Sequence, residues 1–397
     1  MRILFLHEVN YETKPIFEMH EFPEHLAARD NEIGFVQFPE SENNQSLKSK
    51  PFKKRIPGRV LPEVNIDLFT PKTRSSGLSG RLLAVFRTGR FFKKVLKDFQ
   101  PDVVVSFAVP TSGWQSLRAA KQAGVPCLFR ALDVSHKIRK SIFSPLILLA
   151  ETYIYRNADW VSCNNAAMQT YVLRHGAKKG TTSITFPPLD LAHFSKPVKP
   201  RNHLRQQLGI DQSAQVILYM GSFFYFSGLP DAIREFANNS MQSQLLLLIG
   251  GGEQQIELEQ LVKSLRLESR VLFTGMVTFE DLPGYLALGD VAINTLEPSD
   301  VSNYALPNKV LQYMAAGLPV VSTELKGLEL SLGTESQGLI FREDARAVMA
   351  KAISVSHNHS ELSALGAANE KLIARNFGLD KSVVDFERQL IQLAGSS

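Results

Sequence analysis

Leu306-Pro307-Asn308-Lys309-Val310-Leu311-Gln312-Tyr313-Met314-Ala315-Ala316-Gly317-Leu318-Pro319-Val320-Val321 holds a whole helix-to-strand unit. Pro307 suits the first turn of a helix, where its missing N–H leaves no bond unmade. Gly317 ends that helix, and Pro319 leads straight into a β-branched strand. Lys309 then falls in the first helical turn, where the helix dipole already places partial positive charge and acids are usually preferred. Such a helix start asks for an anion; an ordinary helix with an exposed lysine is the alternative.

Outward from this unit, short apolar runs alternate with helical spacing, the pattern of a parallel α/β sheet. Strands are predicted at Val216 to Met220, Gln244 to Ile249, Arg270 to Thr274, Val291 to Asn294 and Pro319 to Ser322, with helices at 230–238, 253–267, 280–288 and 308–316. An earlier series covers Arg2 to His7, Ile33 to Phe38, Val103 to Phe107, Cys127 to Ala131, Trp160 to Cys163 and Ser183 to Phe186, and a helix over 79–99 stops at Pro101. The proline-rich run Phe186 to Pro200 separates the two series and reads as a linker. The prediction is α/β, with two doubly wound Rossmann-like domains facing across a cleft: 1–188, a linker over 189–214, 215–376, and a C-terminal helix over 377–397 packing back on the first domain.

Composition agrees with two packed domains. The 397 residues are 44% hydrophobic and 21% charged, which argues against a disordered or collagen-like chain. Cys127 and Cys163 are the two cysteines, with no metal-ligand spacing, and no apolar run approaches the roughly 20 residues of a spanning helix. With no signal-peptide pattern at the start, a cytoplasmic protein is expected. The net charge of +5 is uneven: residues 1–190 hold 27 Lys and Arg against 17 Asp and Glu, and the remainder is acidic. Residues 43–100, with Lys48, Lys50, Lys53, Lys54, Arg55, Arg59, Arg87, Arg90, Lys93 and Lys94, read either as a contact for an anionic surface or as a solvated basic loop and helix face. No helix-turn-helix, RNP or zinc pattern supports nucleic acid as the partner.

Two glycine-bearing strand ends add candidates. Tyr219-Met220-Gly221-Ser222 runs into a loop and a helix, where glycine lets backbone approach a ligand. Leu245 to Gly250, Gly251, Gly252 and Glu253 ends a buried strand in three glycines and an acid placed to cap the next helix. Lacking the G-x-G-x-x-G spacing, that turn does not support a dinucleotide fold, and it reads either as backbone space against a polyanion or as a flexible turn.

Taken together, Gly221, the Gly250 turn, Val271 to Val277, Leu282 to Ala292 and the Pro307 to Val321 block resemble the retaining, nucleotide-sugar-dependent glycosyltransferases of the GT-B fold, family 4 type. The resemblance spans nearly the whole chain. It implies a hexosyltransferase whose second domain binds a UDP- or GDP-linked sugar as co-substrate, with no cofactor and no metal, and whose first domain binds the acceptor. Base contacts are implied at Gly275, Met276 and Val277, diphosphate contacts near Gly221 and Lys309, and further donor contacts at Ser222, Glu253, Pro307 and Asn308. The chain departs from the pattern at Ser222 and Ser227, where the family carries basic residues, and at Tyr304 and Gln312, where it carries a Glu pair. Glutamine can still bond ribose hydroxyls.

In the first domain, Arg130 and Asp133 follow a strand and resemble the Arg-Asp turn of some polysaccharide-assembly members. They join Lys309 as candidates for catalytic roles, with a structural ion pair as the alternative. His7, ending the first strand, reads either as a ligand contact or as a structural histidine. The run Val134 to Ala150 sets Lys137, Arg139 and Lys140 beside apolar residues, as a segment lying on a bilayer does. The expected protein is a glycosyltransferase peripheral to the inner membrane face, moving sugar to a glycolipid or polysaccharide acceptor. A sugar-nucleotide epimerase of the same fold and a non-catalytic partner are the alternatives.

Overall fold

The computed structural model describes residues 1–38, 52–71, 77–138, 143–195, 200–333 and 335–395. Lys48, Lys50, Arg139 and Lys140 lie outside them. The chain forms two compact units, Met1–Pro188 with Asp380–Ser397, and Leu189–Leu379.

The first unit is built on β1 (Arg2–Leu6), β2 (Glu32–Val36), β3 (Lys53–Pro57), β4 (Asn65–Phe69), β5 (Val103–Ser106), β6 (Cys127–Ala131), β7 (Trp160–Cys163) and β8 (Thr182–Ile184). Their order is β3-β4-β2-β1-β5-β6-β7-β8, parallel except for the β3–β4 pair. The second unit holds β9 (Gln215–Ser222), β10 (Gln244–Gly251), β11 (Val271–Gly275), β12 (Val291–Asn294), β13 (Val320–Thr323) and β14 (Leu339–Arg342), all parallel, in the order β11-β10-β9-β12-β13-β14. Here the chain winds outward from β9 on one side and then returns to β12 on the other. Ligands of such sheets bind at the carboxyl ends of the two strands where the winding reverses.

Both sheets are covered on their two faces, so their central strands are apolar without alternation. Ile3, Leu4 and Phe5 of β1 and Leu246, Leu247 and Leu248 of β10 are wholly buried. The helices Leu229–Asn239 and Ala345–Val355 close one face of the second sheet through Ile233, Phe236, Val348 and Met349. Asp344 begins the second of these by accepting from the Ala347 N–H.

Two segments differ from their reading in the sequence. Lys53–Pro57, read as basic loop, is an edge strand whose charges and proline protect it from pairing with other chains. Lys53 pairs with Asp67 at 2.9 Å and Lys54 with Glu12 at 3.0 Å. Residues 189–214, read as a linker, carry the helices Leu191–Ser195 and Arg201–Gln207 and belong to the second unit. Buried Arg205 donates to the carbonyls of Asp211, Gln212 and Ala214, and Arg201 pairs with Asp290 at 2.8 Å.

The helix Leu379–Ala394 docks on the first unit. Phe386 lies 4.3 Å from Phe22, ring centre to ring centre, and Glu387 bonds Arg29 and Asn31. Phe386→Ala is expected to destabilise the first unit by about 3 to 5 kcal/mol, the usual cost of emptying a buried aromatic site. Denaturant titration checks this, and a loss below about 1 kcal/mol would show that the helix is not part of that core.

Candidate functional site

β9 and the helix Asn308–Ala315 meet at the carboxyl end of the second sheet's switch point. Tyr313, buried on that helix, accepts from the Met220 N–H at 2.6 Å and lies 3.3 Å from the Met220 carbonyl. This fastens the last turn of the strand to the helix. One helical turn earlier, on the same face, Lys309 reaches the strand as well. Its Nζ donates to the Tyr219 hydroxyl at 2.8 Å and stands 4.1 Å from the centre of the Tyr219 ring. A side chain at Gly221 would come within 3.2 Å of that Nζ, and Gly221 also sits at φ +132°, a backbone region that favours glycine.

Among the described residues Lys309 forms no ion pair. Burial pulls its amine down from the ordinary lysine range to about 7. The residue as a whole is only half-buried, so water screens part of that effect. A cation enclosed without a counter-charge is stabilised by an incoming anion. Gln312, on the same helix and also half-buried, makes no side-chain hydrogen bond among the described residues. Pro307 is the N-cap and Asn308 the first helical residue, while Tyr304 closes the short turn Ser302–Tyr304 that precedes them.

The glycine turn after β10 has a different basis from the open space read in its sequence. A side chain at Gly250 would strike the Gly221 carbonyl at 2.2 Å, and one at Gly252 the backbone of Phe223 at 2.7 Å. These two glycines let neighbouring chain segments close on one another. Gly251 meets no such obstacle, its nearest neighbour being the Gln255 Oε1 at 3.6 Å. Glu253 does not cap the following helix, whose N-cap is Gln254; it accepts instead from the Tyr225 N–H at 3.3 Å. Gly275 stands in open space at φ +71°, followed by exposed Met276 and half-buried Val277.

Ser222 is exposed, whereas Ser227 is buried and its carbonyl accepts from Thr295. Between them Phe224, Tyr225 and Phe226 stand exposed, the two phenyl rings stacked at 5.2 Å. The sequence reading passed over this aromatic loop, although three consecutive aromatics before Ser227-Gly228 were its signal. It also passed over Tyr219 and Tyr313, detectable only as hydroxyl-bearing residues in otherwise apolar segments.

In the first unit Arg130 is wholly buried. Its Nε and one terminal nitrogen grip the Glu18 carboxylate at 2.9 and 2.8 Å, and the other donates to Ser162. Arg130 is therefore paired with Glu18 and not with Asp133. Asp133 remains exposed at its surface just beyond β6. Crowding by the surrounding protein, and then Glu18, push its carboxyl up to about 6, an effect its exposure reduces. His7 ends beside Phe17 and Phe107, its Nδ1 enclosed without a partner, and burial pulls the imidazole down to about 3. Glu8 next to it is committed to the N–H groups of Thr111 and Ser112. A recess bordered by Asp30, Glu32, Arg55, Glu63 and Asp67 lies at the amino ends of β2 and β4, away from the ligand-binding ends of the strands.

Two doubly wound units of this kind in one chain define the GT-B class of glycosyltransferase fold. HepE of Anabaena, in complex with UDP-glucose, superposes with a TM-score of 0.76 over 99% of this chain and 100% of its own at 20% identity. Sucrose-phosphate synthase from Thermosynechococcus elongatus gives 0.80 over the full length of both chains at 18%. Residues 214–358 match the family described as glycosyl transferases group 1, and residues 55–184 match a glycosyl transferase 4-like domain. These matches assign a glycosyl transferases group 1 domain to the second unit and a glycosyl transferase 4-like domain to the first. The lipopolysaccharide core biosynthesis glycosyltransferase LpsD of Rhizobium meliloti is 28% identical over 62% of each chain. Mannosylfructose-phosphate synthase of Agrobacterium fabrum is 28% identical over 55% of this chain and 50% of its own. The matched segments thus span between half and about three fifths of these curated relatives.

A diphosphate beside Lys309 would hold the amine protonated, so binding takes up a proton above the free value near 7. Affinity for a nucleoside diphosphate is expected to be full below about pH 7 and to fall by up to roughly tenfold per pH unit above it. Calorimetric titration of wild type and Lys309→Met checks this; an equally flat profile in both would remove Lys309 from the anion site.

Proposed function

We propose that this chain transfers a hexosyl group from a UDP- or GDP-sugar to a glycolipid or polysaccharide acceptor in cell-surface glycan assembly, with retention of configuration and without a metal ion. The observation that carries the reading is the enclosed amine of Lys309, without an ion pair among the described residues, against Gly221 at the switch point of the second sheet. The names of relatives such as LpsD support a polysaccharide or glycolipid acceptor.

On this reading the diphosphate lies against Lys309, Gly221, Ser222 and the amide groups opening the helix Asn308–Ala315. Gly275, Met276 and Val277 face the base, with Gln312 and Tyr304 toward the ribose. Gly251 and Glu253 border the same strand ends, while Gly250 and Gly252 shape the backbone around them. As the anomeric carbon to diphosphate bond breaks, Lys309 stabilises the charge growing on the leaving oxygen. The acceptor oxygen bonds the anomeric carbon on the same face, and its proton passes to the departing diphosphate. Asp133 is the first unit's candidate for orienting the acceptor.

Among the described residues no helix is long and apolar enough to cross a membrane. We place the protein at the inner membrane face through surface contact, where a lipid-linked acceptor is presented. A second reading, a non-catalytic partner, is favoured by Ser222, buried Ser227 and Gln312 standing where the family has charged residues.

Nucleotide release from a panel of UDP- and GDP-sugars, with and without membrane extract, separates the two. Release from one donor, stimulated by extract and reduced roughly a hundredfold or more in Lys309→Ala, is the expected result. Absence of binding and release with every donor would favour the non-catalytic partner, and conversion of the sugar nucleotide without acceptor would point to an epimerase.

A further inference from the structure

The helix Ser144–Asn157 is turned inside out relative to an ordinary surface helix. Its carboxylate, Glu151, has no exposed surface and bonds inward to His136 at 2.6 Å, with the Tyr171 hydroxyl beside it. Ile154 and Tyr155 complete the buried face. Outward, on one arc, stand Leu146 at 62% exposure, Leu149 at 66% and Tyr153 at 37%. Their spacing of three and four residues sets them on a single line along the helix. The inward grip of Glu151 on His136 fixes which face points out, so the leucines cannot rotate under cover without breaking that pair.

Arg156 continues the same line one turn beyond Tyr153, and its side chain lies against Gly176, within 2.6 Å of where a side chain there would begin. That contact brings the loop carrying Arg174, Lys178 and Lys179 to the end of the apolar stripe. All four basic residues are exposed, and none forms an ion pair among the described residues. An apolar line about 10 Å long with cations at one end, and with a tyrosine between, matches the interface of an anionic bilayer, acyl chains against the leucines and phosphates against the cations.

We propose that this face, Leu146, Leu149 and Tyr153 with Arg156, Lys178 and Lys179, is the membrane-docking surface of the protein and takes anionic lipid. It deepens the membrane contact of the proposed function and rests on that part of it alone. It also moves the contact away from the edge strand, where Lys53 and Lys54 are neutralised by acids.

Purified full-length protein would be sedimented with vesicles of phosphatidylcholine alone and of phosphatidylcholine with phosphatidylglycerol at roughly three to one. Wild type is expected to bind the anionic vesicles, and Leu146→Ser with Leu149→Ser to weaken binding by about tenfold or more. Lys178→Glu with Lys179→Glu is expected to remove the preference for anionic lipid and leave the melting temperature unchanged. The proposal fails if wild type ignores anionic vesicles or if the serine variant, still folded by circular dichroism, binds as wild type does. It also fails if wild type is a dimer that the serine changes convert to monomer, since a second copy would then cover the face. Vesicle binding is read without turnover, so a protein that binds lipid but releases no nucleotide would defeat the transferase reading and leave this one standing.

Discussion

An amine enclosed beside Tyr219, with no counter-charge among the described residues, is the constraint around which the second unit is arranged. Holding it there opposes two ordinary preferences, hydration of a cation and acidic residues at a helix start. The compensation is local. The face of the Tyr219 ring and its hydroxyl oxygen take up part of the lost hydration, and the Tyr313 bonds to Met220 fix the distance between helix and strand. Gly221 completes the arrangement, because any side chain there would press on the amine. Four residues on two elements thus keep one charge waiting at the place where the sheet's topology opens a ligand site.

The winding order explains why that charge can only be there. In a parallel sheet that reverses at β9, loops after β9 and β12 leave in opposite directions and expose strand ends between them. The end of β12 and the residue after it supply polar groups there: Asn294 reaches Ser322 on β13, and Thr295 holds the Ser227 carbonyl. Ser227 is therefore an anchor of the loop and not a ligand group. Of the two positions where the resemblance implied basic side chains, this chain buries Ser227, and the span between them is filled with exposed aromatics, while Lys309 lies against Gly221.

Alternation of apolar runs with helical spacing made the central strands and most helices readable, because burial on both faces demands uninterrupted apolar sequence. β3 escaped since an edge strand needs no such run; Lys53-Lys54-Arg55 is what an edge uses to stay unpaired. At the site, Lys309 was legible from its opposition to the helix dipole. Tyr313 was not, as one hydroxyl in an apolar helix gives no sign of whom it bonds. Gly250 and Gly252 were legible as special, but the close approach of the Gly221 and Phe223 backbone that requires them was not, because sequence does not show which segment a glycine faces.

Charge counting fails for a related reason. The basic excess of the first half suggested one broad field, yet the structure sorts the same residues into separate roles. Arg130 is consumed by Glu18, Lys53 and Lys54 by acids nearby, and Arg59 turns inward to the carbonyls of Tyr11 and Lys14 while its own N–H binds Glu24. Buried carboxylates at Glu8, Glu18 and Glu24 draw N–H groups and guanidinium inward, while Arg87, Arg90, Lys93 and Lys97 on the helix Gly77–Phe99 stay exposed. What reaches solvent unpaired at Arg156, Arg174, Lys178 and Lys179 was inconspicuous in the sequence, four residues scattered across two segments. A surface field is set by which charges lack partners, and partners are assigned by the fold.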